Sequence, residues 1–152
     1  MKKITLLCIL LSLLFDFSCK KKNDQFPYAE FTVNGVHKKY EQVSGFSKSF
    51  CVSSTYCGHF YFSHSDKDFL KIGIPGDPIV GHTYKNGDYR FEVYFLNDTG
   101  LMYNMTIAPL TLTLSKWEGS GGWAEGTFSG WLKSSEGDSL QLQNGYLKNT
   151  ID

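Results

Sequence analysis

Cys51, Cys57, His59 and His64 lie close together in the chain and bring the two side-chain types that zinc most often takes. Zinc needs its ligands to converge on one point. If GFSKSFCVSSTYCGHFYFS folds as a hairpin with Cys51 opposite Cys57, then Phe50 faces Gly58, Lys48 faces Phe60 and Phe46 faces Phe62. His59 then shares the cysteine face and His64 lies on the other, because side chains alternate along a strand. The ligands do not converge, and no metal or other cofactor is expected. Cys51 and Cys57 read instead as a disulfide, the favoured state of a close pair in an oxidising compartment.

Asp98-Thr99-Gly100 is the triplet that carries the catalytic aspartate of aspartic proteases. That chemistry needs two aspartates sharing a proton, and a single copy stands here between Asn97 and Leu101. Asn, Asp, Thr and Gly in succession are also turn composition, so a turn is the reading and no catalytic residue is assigned. Asp66, Asp68 and Asp77 sit near turns without the spacing of a calcium loop. Gly119 to Gly122 joins two strands, not the strand and helix of a phosphate-binding loop.

Trp117, Trp123 and Trp131 belong to the most regular stretch, LTLTLSKWE-GSGG-WAEGTFSGWL. Pairing Trp117 with Trp123 places Leu114 opposite Gly126, Leu112 opposite Phe128 and Leu110 opposite Gly130 on the inner face. Thr113 then faces Thr127, Thr111 faces Ser129 and Ser115 faces Glu125 on the outer one. This register turns all three tryptophans to the polar face. They would there form an aromatic platform for a sugar ring or a partner's apolar residue. The structural alternative is a cross-strand pair that stabilises the hairpin by up to ~1 kcal/mol.

These residues need a frame, and the chain start says where that frame works. Lys2 and Lys3 precede an apolar run from Ile4 to Phe15, and Ser18 precedes Cys19, the order of a secretion signal ending at a lipidated cysteine. A spanning helix needs about 20 apolar residues, and Asp16 ends this run too early. Asp16 and Phe17 depart from the usual residues before such a cysteine. Residues 1–18 are therefore read as a lipoprotein signal peptide, 19–26 as the lipidated Cys19 with a polar tether, and 27–152 as one β domain. The expected address is the cell envelope, anchored in the outer membrane through lipid.

Removing residues 1–18 leaves 13 of 15 basic and 14 of 15 acidic residues, a near-neutral domain. That argues against nucleic acid as a partner, which would need a basic patch or stripe. Four cysteines are present, of which Cys8 leaves with the signal and Cys19 takes the lipid.

Period-two alternation dominates the rest of the chain, and no run shows helical spacing. YAEFTV-NG-VHKKYEQV turns at Asn34-Gly35, whose residues accept positive φ. This pairs Val33 with Val36, Phe31 with Lys38 and Ala29 with Tyr40, with Lys38 alone out of place on the apolar face. FLKIGI (69–74), YRFEVYFL (89–96) and LMYNMTI (101–107) follow, then the tryptophan hairpin, then SLQL (139–142) leading through Asn144-Gly145 to Tyr146-Leu147. The expectation is a single antiparallel β-sandwich, or a flattened barrel, of about nine to ten strands.

FTVNGVHKKY, the Gly126-Thr127-Phe128 strand and the closing Asn144-Gly145-Tyr146 resemble uncharacterised small envelope lipoproteins of Bacteroidetes-type bacteria. Those share a signal ending in Ser-Cys-Lys-Lys and an opening Asn-Gly hairpin. The resemblance covers about a third of the chain. It implies an envelope-anchored β-sandwich and no activity. The function expected is a non-catalytic binding or interaction module for carbohydrate or protein. The alternatives are an envelope hydrolase using Asp98, a thiol enzyme using Cys57, and a purely structural lipoprotein.

Overall fold

A computed structural model of the chain describes residues 26–51, 55–88, 90–104 and 110–152, apart from the side chains of 42–45, 47–51 and 55–57. The expected signal peptide and Cys19 lie outside the described residues. Every regular element described is a strand: β1 Tyr28–Val33, β2 Val36–Cys51, β3 Thr55–Ser65, β4 Asp68–Pro75, β5 Thr83–Lys85, β6 Glu92–Leu96, β7 Met102–Asn104, β8 Thr111–Trp117, β9 Trp123–Ser134 and β10 Ser139–Thr150.

The sheet closes on itself. Neighbours run β10-β1-β2-β3-β4-β6-β7-β9, all antiparallel, and β9 pairs with β10 to complete an eight-stranded ring. The expected sandwich is thus corrected to a closed barrel. β10 lines one edge of β9, so β7 and β8 share the other: β7 meets Lys133 and Ser134, and β8 meets Ala124 to Ser129. β5 then adds to β8 through Thr83↔Thr113, Tyr84↔Leu112 and Lys85↔Thr111.

Long strands interrupted by irregularities allow this curl. β2 has two register shifts against β3, and β10 shifts against both of its neighbours. Bulges of this kind bend a strand and raise its twist. Inward glycines supply the remaining room: a Cβ on Gly58 would lie 2.0 Å from the Phe46 ring, and one on Gly126 would lie 2.8 Å from the Thr113 carbonyl oxygen. Side chains there would push the sheet open.

The interior is filled by aromatic and branched side chains, with Phe31, Phe46, Phe60, Phe62, Leu70, Ile72, Leu112, Leu132 and Leu142 fully buried. Phe31 touches the rings of Tyr40, Phe95 and Phe128 at 5.1, 6.0 and 5.8 Å. An eight-stranded barrel is just wide enough for such a filling. The outward positions of β8 to β10 are mainly Thr, Ser, Gln and Lys, the inverse of a membrane-spanning barrel with its apolar outer band.

The opening hairpin has the expected register, with Asn34 at φ 47° and Gly35 at φ 84°. The second hairpin does not. Cys51 pairs with Thr55 and Cys57 with Ser49, two residues away from the expected alignment. The expected Cys51–Cys57 disulfide concerns side chains outside the described ones. Asn144-Gly145 is also not the turn its composition suggests, but lies inside the single strand β10.

Candidate ligand-binding groove

The tryptophan hairpin keeps its expected register only as far as Leu114↔Gly126; beyond it, Lys116 pairs with Glu125 and Trp117 with Ala124. One extra residue at Ser115-Lys116 flips every later side chain to the other face. Trp117 therefore packs inward, its ring edge-on to Phe46 at 4.8 Å and near Phe60 at 6.5 Å. This corrects its expected place on an exposed platform. Trp123 stays on the outer face beneath the Lys148 ammonium, 4.9 Å from its ring. Trp131 is 39% exposed on that face and pairs with Gln141, whereas Trp123 pairs with Thr150 at the opposite end of β9. The two remaining tryptophans are about 26 Å apart along the strand, so the three form no common surface.

The other candidates separate as well. Asp98 sits in the β6–β7 turn, where Asn97 Oδ1 accepts hydrogen bonds from the Thr99 hydroxyl at 2.7 Å and the Leu101 N–H at 2.8 Å. That is an Asx-type turn. His59 meets the Glu92 carboxylate at 2.9 Å across β4, in the gap left by Gly73, where a Cβ would lie 2.5 Å from Glu92 Cγ. His64 stacks on the Tyr40 ring at 6.3 Å.

What the outer face does hold is a groove over β8, β9 and β10, built by the irregularity in β10. Leu142 pairs with Gly130 and Gly145 with Phe128, so Gln143 and Asn144 together oppose Ser129. The same place breaks the pairing with β1, between Thr32↔Gln143 and Glu30↔Tyr146. Asn144 adopts φ 51°, a conformation that Asn tolerates better than most residues. Gly145 can carry no side chain, since a Cβ would sit 2.5 Å from both the carbonyl oxygen and the ring of Phe128. Bulges gather beside binding sites because they re-aim side chains and break a flat surface.

Two depressions result, which share Ser129 and Asn144. One, of about 380 Å³, is lined by Thr111, Thr113, Thr127, Phe128, Gly145 and Tyr146 besides those two. The other, of about 430 Å³, is lined by Gly130, Trp131, Gln141, Leu142 and Gln143 besides them. Both volumes fall in the range of small-molecule sites, about 300–1,000 Å³. Hydrogen bonds within and behind the walls brace them. The Thr83 and Thr113 hydroxyls lie 2.8 Å apart, Gln143 Nε2 donates to Gln141 Oε1 at 3.0 Å, and the Tyr146 hydroxyl donates to Glu125 at 2.9 Å. Asn34 in the first turn accepts from the Gln141 N–H at 3.1 Å and donates its own N–H to the Gln141 carbonyl at 3.3 Å.

Of the groove residues, sequence reasoning singled out Trp131 and missed Gln141, Gln143 and Asn144. An Asn-Gly pair between two alternating apolar runs was the available signal, since a bulge has the same residue needs as a turn. The fold and groove define a closed antiparallel barrel with a polar depression on its outer wall. No protein-family model, curated protein or solved structure matches the chain.

Proposed function

We propose that this protein is a lipid-anchored, non-catalytic binding module of the cell envelope that presents the β8–β10 groove to a carbohydrate or protein ligand. The observation that carries this reading is the groove itself, where a strand irregularity, hydrogen-bonding side chains and the exposed Trp131 coincide. An aromatic ring beside amides and hydroxyls suits recognition, since the ring supplies contact area and the polar groups fix orientation. The groove residues include no nucleophile paired with a general base. The anchor at Cys19 rests on the apolar run and Ser18 before it.

Glycan and peptide arrays probed with the purified protein and its Trp131→Ala variant test the binding role. Signals lost in the variant support it, and signals equal in both remove the groove from the account. For the anchor, Cys19→Ser should release the protein from membranes or leave it unprocessed. Retention in the membrane fraction with the signal removed overturns the anchor.

A further inference from the structure

We infer that the groove takes an uncharged oligosaccharide, an inference that rests on the binding-module reading and narrows its ligand. None of the residues lining either depression carries an acidic or basic side chain. An anionic glycan or a nucleotide would find no cationic side chain in that lining, and the bordering Glu125 carboxylate is already held by the Tyr146 hydroxyl. The lining offers hydroxyls on β8 and β9 and amides on Gln141, Gln143 and Asn144, groups that both donate and accept as sugar hydroxyls do. Neutral ligands are well matched by neutral polar walls, because no desolvated charge has to be compensated.

The placement of the groove also separates sugar from peptide. An extended peptide docks by adding to an open sheet edge, where main-chain hydrogen bonds supply its affinity. Here β10 pairs with β9 on one edge and β1 on the other, and Thr127 and Phe128 of β9 pair with both β8 and β10. The groove floor has no free edge to extend. A sugar needs none, since it binds through side chains and stacking.

Trp131 marks one end and Tyr146, paired with Thr127, the other. Four residues of β9 separate these levels, about 13 Å, a length suited to about two or three pyranose rings. Trp131 would stack on a terminal ring, and Gln143 and Asn144 would bond the next.

Calorimetric titration of the intact protein with maltotriose, cellotriose, mannotriose and xylotriose, beside trigalacturonate and an uncharged hexapeptide, tests this. At least one neutral trisaccharide should bind, Trp131→Ala should weaken it at least tenfold, and Trp123→Ala should leave it within twofold. If only trigalacturonate or the hexapeptide binds, with the same dependence on Trp131, the ligand class is overturned and the binding module stands. If no probe binds, or Trp131→Ala changes nothing, the groove assignment falls together with the ligand class.

Discussion

The Lys38 ammonium lies 3.0 Å from Asp68 Oδ2 at one end of the barrel, joining the opening hairpin to the first residue of β4. Alternation along β2 turns Lys38 inward beside Tyr40, and Asp68 answers it. The Tyr40 hydroxyl donates to the other carboxylate oxygen. The Lys38 ammonium also lies 5.5 Å from the Phe95 ring centre and 5.6 Å from that of Tyr40. A charge on the apolar face is tolerated because the start of β4, at the same end of the barrel, supplies its partner.

Lys38→Met should cost about 2–4 kcal/mol in urea unfolding, since it strands a carboxylate whose side chain is 7% exposed. The figure reaches below the range of about 3–5 kcal/mol for fully buried pairs because the Lys38 side chain is 21% exposed. The double change Lys38→Met with Asp68→Leu should recover most of the loss, as apolar pairs often replace buried ion pairs without penalty. A single-variant loss under about 0.5 kcal/mol would place the pair with ordinary surface bridges.

Tyr40 predicts a specific alkaline weakness. Burial, then the hydrogen bond to Asp68, then the charges of Asp68 and Asp98 hold its phenol far above the usual range. A raised pKa means the folded chain keeps a proton that the unfolded chain releases above about pH 10. The stabilisation is complete below that pH and declines as pH rises past it. Tyr40→Phe should flatten the fall in unfolding free energy between about pH 9.5 and 11. An unchanged slope would assign the effect elsewhere.

Asn149 is fully buried, and among the described residues neither its amide oxygen nor its nitrogen has a hydrogen-bond partner. An unpaired buried polar group costs about 1–3 kcal/mol, while an apolar replacement of similar shape removes that cost. Asn149→Leu should therefore stabilise by about 1–2 kcal/mol and raise Tm by several degrees. A lowered Tm would show that the site cannot accept the branched side chain.

Trp117→Ala and Trp131→Ala should separate cleanly in thermal unfolding. Removing the half-buried Trp117 ring from its contact with Phe46 should cost about 2–3 kcal/mol, below the figure for a fully buried aromatic, and removing the exposed Trp131 about 0.5 kcal/mol or less. Equal losses would contradict their opposite sides of the wall.

Much of the local pairing was legible in the chain. Asn34-Gly35 set the first hairpin, and the match of Leu112 with Phe128 and Leu114 with Gly126 set the last, since turn chemistry and alternation act between neighbours. The inward Lys38 was visible as a misfit. Its partner was not, because Asp68 reaches it only through a strand pairing made elsewhere in the sheet.

By itself the sequence determined an all-β chain, its strand alternation and the residues able to form tight turns. Those are properties of a few successive residues. Tertiary structure alone decided that the sheet closes, that Ser115-Lys116 bulges and turns Trp117 inward, and that Asn144-Gly145 bulges within a strand and opens a groove. A one-residue slip costs almost nothing in local propensity. Its sign is set by whether the next ring finds Phe46 or water, and that depends on strands far away in the chain.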